Sequence, residues 1–379
     1  MKLTDICEFQ GGSQPPKNEW SSEYKDGYIR MLQIRDFTQE ERVIPEYVKV
    51  TNRLRFCAED DILIGRYGAS VGKILSGKAG AYNVAIMKTV PNTAIVRKQY
   101  MKYYFLSPNF QSFILNLGGR AAQAGFSKDD LTRLEIDTIP LEKQDEIIKE
   151  LSALEEIIRT KCNQLKEFDD LVKSRFIEMF GAVDTSNSPY NVCKLNDVAN
   201  VGSSHRVFTT EFVEKGIPFY RGTEIGELAN GKIPANPYYI SLEHYQRLAS
   251  DSTKPKIGDL LMPSICSKGQ VWMVDTDEPF YYKDGRVLCI SPNLSVFNPL
   301  YLLHFMRFKT EIEYQKLDTG PTFSEFKIFI LKNFDVIVPP LSIQNEFADF
   351  VKLTDKSKFV CRFTPSIFYV IFLHSHHPP

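Results

Sequence analysis

The stretch that decides the fold runs from Thr138 to Gly181 and reads TIPLEKQDEIIKELSALEEIIRTKCNQLKEFDDLVKSRFIEMFG. From Glu142 to about Phe180 its apolar residues recur every three or four positions, the repeat of a helix packed lengthwise on another helix. About 39 residues at a rise of 1.5 Å give a helix roughly 58 Å long. Alone it would expose its apolar stripe to water, so we expect a parallel or antiparallel partner helix. The stripe consists of Ile147, Leu151, Leu154, Ile158, Cys162, Leu165, Phe168, Val172, Phe176 and Met179.

The partner is predicted by a second copy of the same signal. IPLEKQDEI from Ile139 matches PPLSIQNEF from Pro339, and KLTDIC from Lys2 matches KLNDVA from Lys194. Matches in one order at nearly constant separation indicate a tandem duplication, whose two globular units are each followed by a helix that begins after Pro-Leu. The three further matched pairs, in chain order, are YIRMLQIRDF with GIPFYRGTEI, DDILIGRYGASVGKI with GDLLMPSICSKGQVWMV, and YMKYYFLSPNF with YLLHFMRFKTE.

The repeat divides the chain into five predicted segments. These are a globular domain at 1–140, a long spacer helix at 141–181, a second globular domain at 182–339, the start of a second spacer helix at 340–359, and an unrelated C-terminal tail at 360–379. The tail, VCRFTPSIFYVIFLHSHHPP, has no heptad pattern, and we expect the second helix to lose its pattern near Val360. Within the globular domains, short apolar runs around Gly-bearing loops predict strands, and the spacing from Tyr100 to Leu115 predicts a helix.

Composition limits the class of protein. A net charge of −1 gives no overall basic field, so any nucleic-acid surface must be a local patch. The seven cysteines contain no C-x-x-C pair, which favours reduced thiols over disulfides or a structural zinc site. No signal peptide and no run of about 20 apolar residues is present, so we expect a soluble cytoplasmic protein.

The duplicated order of these motifs resembles the specificity subunit of type I restriction-modification systems, over residues 1 to about 359. The resemblance implies an α+β fold with two similar mixed α/β globular target-recognition domains, joined by long antiparallel coiled-coil-like spacer helices of which the second is truncated. It also implies a non-catalytic DNA sequence-recognition subunit. Each half would read one part of a bipartite target in double-stranded DNA, and the helices would set the spacing between the parts.

The same resemblance implies protein partners. The helices would dock DNA methyltransferase (M) subunits and, through them, restriction (R) subunits. No cofactor is expected in this chain, because S-adenosylmethionine, ATP and magnesium would act in the partner subunits. Two alternatives stay open from the sequence: the recognition subunit of a related type II methyltransferase/restriction system, and a generic helical scaffold without a DNA role.

Candidate DNA contacts lie in three kinds of segment. The glycine-bearing loops GRYGASVGKI and SICSKGQ, the loops GGRAAQAGFS and DTGPTFSEF, and the segments that carry Arg30 and Arg221 all contain side chains that bind phosphates or base edges. For each residue an ordinary solvated or salt-bridged role is the competing interpretation. The candidates are Arg30, Arg35, Arg66, Tyr67, Ser70, Lys73, Arg120, Gln123, Arg221, Ser264, Lys268, Gln270 and Thr322, and those for partner docking are Gln144, Glu155, Arg159 and Gln344.

Readings as an enzyme are weaker. NPYY at Asn236–Tyr239 has one proline and no preceding Gly-rich turn, so a turn that enters a strand is favoured over a methyltransferase motif. Asp318, Glu325 and Lys327 imitate the spacing of a metal-dependent nuclease, but in the matching stretch of the first half, GGRAAQAGFSKDD, the acids are differently placed. GRYGASVGKI lacks the spacing and final hydroxyl of a phosphate-binding loop. We therefore predict no catalytic residue and no metal site.

Overall fold

The structure is a computed structural model that describes residues 1–39, 43–118, 125–181, 183, 188–251, 253–317 and 324–375, with side chains omitted at 118 and 359–375. The chain forms two compact units, Met1–Ile157 and Ile158–Pro379. The boundary falls inside the long helix.

Among its described residues, unit 1 has nine strands and five short helices, and it includes the first part of the long helix α6. The strands are β1 (Cys7–Gly11), β2 (Trp20–Ser21), β3 (Tyr28–Leu32), β4 (Tyr47–Lys49), β5 (Phe56–Cys57), β6 (Ile62–Gly65), β7 (Ile74–Leu75), β8 (Gly80–Tyr82) and β9 (Ile86–Pro91). The helices are α1 (Leu3–Ile6), α2 (Ile34–Thr38), α3 (Lys98–Leu106), α4 (Pro108–Gly118), α5 (Lys128–Leu131) and α6 (Leu141–Phe180).

The strands of unit 1 form two sheets. One is antiparallel, with the order β1-β9-β6-β7, and the other has the order β2-β4-β3-β8-β5, in which only β3 and β8 pair in parallel. Alternation of apolar residues along β1 buries Cys7 and Phe9, which pack against Phe105 and Phe110 of α3 and α4. The first sheet and these two helices therefore enclose the main core of the unit.

Unit 2 repeats this plan. Its strands are β10 (Asn191–Lys194), β11 (Ala199–Gly202), β12 (Phe212–Val213), β13 (Ile217–Tyr220), β14 (Tyr238–Ile240), β15 (Leu260–Pro263), β16 (Trp272–Met273), β17 (Tyr281–Tyr282), β18 (Val287–Pro292) and β19 (Asp335–Val338). Its helices are α7 (Leu195–Val198), α8 (Gly222–Ala229), α9 (Leu242–Leu248), α10 (Pro299–Lys316), α11 (Ile328–Lys332) and α12 (Leu341–Ser375).

The sheets of unit 2 confirm the predicted duplication. The antiparallel sheet β11-β18-β15-β16 has the strand order of β1-β9-β6-β7, and the sheet β12-β14-β13-β17 repeats the single parallel pairing between β13 and β17. Short apolar runs thus became strands at corresponding positions in both halves. A pair formed by β10 and β19 closes unit 2, where unit 1 has only the bridge between Lys2 and Glu135.

The predicted helix from Tyr100 to Leu115 is two helices. α3 ends at Leu106, and α4 begins at Pro108, because a proline within a helix removes one backbone hydrogen bond and clashes with the preceding turn. In unit 2 the proline lies at the start instead. Pro299 occupies the first turn of α10, where its missing N–H costs nothing, and that helix runs unbroken for 18 residues.

The two long helices each begin directly after a Pro-Leu signal, at Leu141 and Leu341, and they pack antiparallel within unit 2. Arg175 of α6 donates to Glu346 near the start of α12 at 2.8 Å, whereas Asp169, earlier in α6, pairs with Lys358, later in α12, at 2.8 Å. Phe347 packs between the rings of Phe176 and Phe180. The antiparallel pairing predicted for the helices is therefore confirmed.

The end of α12 differs from the prediction. Its backbone stays helical to Ser375, past the loss of pattern near Val360, although its 35 residues remain fewer than the 40 of α6. Each residue added to an existing helix gains a hydrogen bond, which favours continuation through residues that no longer form a stripe. Pro365 is the exception within this segment, because it has no backbone N–H to donate, and we have no physical account of why the helix passes it.

Candidate nucleic-acid interface

Two corresponding hairpin loops carry most of the predicted DNA contacts. The first joins β6 to β7, and the second joins β15 to β16. Each loop is hydrogen-bonded to a helix of its own unit, which is α4 in unit 1 and α10 in unit 2. Gln111 of α4 donates to the carbonyl of Gly72 at 2.9 Å, and Arg307 of α10 donates to the carbonyl of Val271 at 3.0 and 3.1 Å. The loops are thus held on rigid elements, as a recognition surface requires.

The first loop brings Arg66, Tyr67, Ser70 and Lys73 together. Arg66 donates to the carbonyls of Val84 and Phe126 at 3.4 Å, and its guanidinium lies 5.0 Å from the ring centre of Tyr67. Tyr67 is 44% exposed, Lys73 is exposed, and Ser70 is half-buried. This loop presents a cation, an aromatic face and a lysine to solvent, which are the groups that bind phosphates and stack on bases.

The second loop corrects one prediction. Ser264 is 2% exposed and its hydroxyl bonds Glu325 at 3.3 Å, so it has no surface to offer to DNA. Glu325 also accepts from Arg286 at 2.7 Å and from Lys327 at 3.4 Å. Burial acts to raise the pKa of Glu325, but the two cations hold it below its usual range. The exposed cations beside Ser264 are Arg286 and Lys327, and both are paired with Glu325.

The other two predicted DNA contacts in the second loop, Lys268 and Gln270, are at least partly exposed to solvent. Lys268 is exposed and lies at the tip of the loop. Gln270 is half-buried, and its side-chain oxygen accepts the backbone N–H of Lys268 at 3.0 Å. The amide of Gln270 therefore shapes the loop that presents Lys268.

Arg30 within β3 and Arg221 directly after β13 form internal salt bridges. Arg30 binds Asp36 at 2.5 and 3.2 Å, and Arg221 binds Glu224 at 2.6 and 3.1 Å. Both acids are almost fully buried at the starts of α2 and α8, so the salt-bridged interpretation fits these arginines better than a DNA contact. Arg35 is likewise engaged, by Glu46.

The matching pattern explains why the two sequence segments resemble each other. Although burial acts to raise it, the pKa of Glu224 lies below its usual value because Arg221 bonds the carboxylate. A strand is thereby tied to the helix that follows it in both units. Of the other predicted contacts, Arg120, Gln123 and Thr322 lie outside the described residues.

Sequence reasoning missed a cationic turn in unit 1. Lys49, Arg53 and Arg55 are exposed between β4 and β5, and none forms an ion pair with an acid among the described residues. Leu54 between the two arginines is buried. The signal was present in the sequence as KVTNRLRF, which has three cations and no acid within eight residues.

The predicted docking residues Gln144 and Gln344 are not on the surface. They are 1% and 0% exposed, so neither side chain can touch a partner protein. Gln144 accepts the backbone N–H of Arg97 at 2.8 Å and donates to the carbonyls of Ile95 and Ile139 at 3.0 and 2.8 Å.

Gln344 forms the same three bonds in unit 2. It accepts from Asn298 at 2.9 Å and donates to Val296 and Pro339 at 2.9 and 2.7 Å. We call this arrangement the glutamine clamp. In unit 1 it bonds the first turn of α6 to the loop that precedes α3, and in unit 2 it bonds the first turn of α12 to the loop that precedes α10. This shared role explains why the P-L-x-x-Q motif occurs twice.

The other docking candidates lie on α6. Glu155 is exposed but engaged inside unit 1, where it accepts from Lys102 at 3.4 Å and from the hydroxyl of Tyr103 at 3.1 Å. Arg159 is exposed. Tyr103 also shares a hydrogen bond of 3.0 Å with Ser152, so several polar contacts join α3 to α6 in unit 1.

In unit 2 the surface of α10 that corresponds to this contact of α3 lies beside a cleft. His304 and Leu303 occupy the positions of Tyr103 and Lys102, and a cleft of about 600 Å³ lies beside them. Among the described residues, the ring nitrogens of His304 have no hydrogen-bond partner, although the ring packs against Phe308 and Phe347. Burial, followed by the charges of Arg307 and Lys358, lowers the pKa of His304 to about 3.

The residues proposed for enzymatic roles are placed as follows in the described part of the chain. The described residues contain no group of three or more His, Cys, Asp or Glu side chains that could hold a metal ion. Asp318 lies outside the described residues, and Glu325 is engaged as above. Tyr238 of the NPYY motif lies in β14, stacked on Phe212 at 4.6 Å, which agrees with a turn that enters a strand.

Two further properties are plain in the described part of the chain. Its six cysteines, at positions 7, 57, 162, 193, 266 and 289, are all free thiols. None of its helices combines the length and the apolar character needed to cross a membrane.

Two similar α+β globular domains, each followed by a long helix and each carrying an exposed basic loop, define a class of recognition proteins with two binding domains. The family profile described as "Type I restriction modification DNA specificity domain" matches residues 1–167 and 187–359, so the chain belongs to this family. Its members are recognition subunits without catalytic activity, and the role of this chain is DNA sequence recognition in a type I restriction-modification complex.

Similar proteins agree with this assignment. The type I restriction enzyme MjaVIII specificity subunit of Methanocaldococcus jannaschii is 24% identical over 374 residues, which cover 94% of this chain and 85% of that protein. Two solved structures share the fold. A chain from a study of assembly and conformational transition of the type I R-M system has a TM-score of 0.55, 15% identity and coverages of 99% and 95%. The type I S subunit from M. genitalium has a TM-score of 0.51, 14% identity and coverages of 98% and 92%.

Proposed function

We propose that each half of the chain reads one part of a bipartite DNA target. In this proposal residues 1–140 and 182–339 are the target-recognition domains, and the spacer helices at 141–181 and 340–359 set the gap between the two parts. The observation that carries the proposal is the repetition of one architecture. The antiparallel four-stranded sheet, the loop position and the glutamine clamp are the same in both units, and the second sheet differs only by the extra strand β5 in unit 1. Two short readouts on one chain combine into one specific readout, because the second binding step becomes intramolecular.

The exposed surface of the long helices is the proposed docking site for methyltransferase subunits. Ile157, Leu171 and Ile177 of α6 are 43%, 48% and 48% exposed, and Arg159 lies on the same helix. These side chains leave part of the helix surface open for contact with another protein. Restriction subunits would join through the methyltransferase subunits. S-adenosylmethionine, ATP and magnesium would serve those partners rather than this chain.

The proposal is tested by sequencing methylated bases in cells that carry this gene with its partner genes. We expect a bipartite motif with a fixed gap that disappears when this gene is deleted. Replacement of residues 1–140 by the corresponding half of another specificity subunit should change one side of the motif only. A continuous motif, or a change on both sides, would contradict the assignment of one half-site to each unit.

A further inference from the structure

In unit 1 the cationic turn and the first hairpin loop both contact the segment from Gly11 to Ser13. Arg55 donates its backbone N–H to the hydroxyl of Ser13 at 2.7 Å. Two residues earlier, the position that a side chain would take on Gly11 lies 3.3 Å from Nη1 of Arg66. We call Arg53, Arg55, Gly11–Ser13 and Arg66 the basic strip.

The charge of the basic strip is not neutralised within the described residues. Arg53 and Arg55 form no ion pair there, and Arg66 bonds only carbonyl oxygens. After the cationic turn the chain carries the exposed Glu59, then Asp60 and Asp61, which are bound by Lys98 at 2.7 Å and by Lys88 at 2.6 Å. Gly11 is exposed and has no side chain, so it allows a phosphate to approach the backbone between the arginines.

Unit 2 differs at the corresponding place. The register that aligns β1 with β11 puts His205 at the position of Ser13. There His205 binds Asp251 at 2.7 Å, and the pKa of Asp251 is lowered to about 2, first by the backbone N–H of Thr253 and then by His205. The carboxylate of Asp251 therefore contacts this position in unit 2, whereas the backbone of Arg55 contacts it in unit 1, and a carboxylate there repels phosphate.

We propose that the basic strip binds the phosphate backbone of the half-site read by unit 1. The inference rests on the proposed function, since it assumes that unit 1 lies on duplex DNA. The phosphate contacts carry no sequence information. They hold the duplex in place so that neighbouring side chains such as Tyr67 meet the bases.

The test uses the full chain purified with its co-expressed methyltransferase subunits. A fluorescent duplex carrying the motif found by methylation sequencing is titrated at several salt concentrations. For Arg53→Ala/Arg55→Ala we expect the slope of log affinity against log salt to become shallower by about 1.8, from roughly 0.9 for each lost phosphate contact. At about 0.1 M salt the affinity should fall between roughly 10-fold and 100-fold. The methylation motif should keep its sequence.

Two further variants separate a phosphate contact from damage to the fold. Arg53→Lys/Arg55→Lys keeps both charges and should restore the slope. Lys2→Ala/Arg133→Ala removes two exposed cations at the other end of β1, a strand of about 16 Å, and should leave the slope unchanged.

Each outcome decides the question. An unchanged slope in the alanine variant, or an equal fall in the Lys2/Arg133 variant, would overturn the role of the basic strip and leave the proposed function standing. A wild-type complex that shows no bipartite motif and no DNA binding would overturn both.

Discussion

The glutamine clamp gives the sharpest prediction. Gln144→Met and Gln344→Met each replace a buried amide by a side chain of similar length that forms no strong hydrogen bond. Each substitution removes three hydrogen bonds and leaves one N–H and two carbonyls without their partner. At about 1 kcal/mol for each bond, we expect a loss of about 3 kcal/mol in the free energy that holds the joint closed. This equals an increase of roughly 100-fold in the population of the open joint.

Hydrogen–deuterium exchange reads this change directly. The N–H of Arg97 bonds the side chain of Gln144, and the N–H of Asn298 bonds that of Gln344. Peptides that contain Arg97 should exchange on the order of 100-fold faster in Gln144→Met, and those that contain Asn298 should respond only to Gln344→Met.

Neighbouring exposed residues serve as controls for the glutamine clamp. Lys143→Met and Ser342→Met lie one and two positions away on the same helices, both exposed, and should change stability by less than about 0.5 kcal/mol. If Gln144→Met exchanged at the wild-type rate at Arg97, the three bonds would not hold the joint, and our account of the repeated motif would fail.

Three other variants follow from the structure. The pKa of His304 is lowered to about 3, so the unfolded state binds more protons than the folded state between that pH and about 6.5. The free energy of unfolding should therefore fall by about 2 kcal/mol between pH 6.5 and pH 5. Urea titrations should show a smaller fall for His304→Phe. Arg221→Met leaves the carboxylate of Glu224 buried and unpaired, so its urea midpoint should report a loss of about 2 kcal/mol, and recovery in Arg221→Met/Glu224→Gln would support this cause. Gly269→Ala puts a methyl group 2.5 Å from a backbone oxygen of α10, whereas Gly68→Ala has the same left-handed backbone in open space; the first should cost at least about 2 kcal/mol more in thermal unfolding, and equal costs would refute the close approach.

The sequence predicted the duplication and the helices well because both rest on local pattern. KLTDIC and KLNDVA became α1–β1 and α7–β11, and the Pro-Leu signals start α6 and α12 at Leu141 and Leu341. Periodicity and helix-start signals act within a few residues of chain, so one sequence reveals them.

The side-chain roles were harder to predict because they depend on partners far away in sequence. Gln144 binds a segment more than 40 residues earlier, and Ser264 binds Glu325, 61 residues later. Neither burial is visible in the local sequence. Arg30 and Arg221 pair with acids close by, but an acid a few residues away from an arginine is too common a pattern to distinguish a buried clamp from a solvated charge. Lys49, Arg53 and Arg55 were missed because the turn that exposes them has no glycine-rich motif.

In both units the chain enters and leaves the globular domain at one place. Lys2 bridges Glu135 in unit 1, and Asn191 faces Val338 where β10 pairs with β19 in unit 2. In such a globular domain the first and last residues lie side by side. A domain of different length could therefore replace it without moving the points where the chain joins the long helices, so exchange of one block of coding sequence could change what the protein binds.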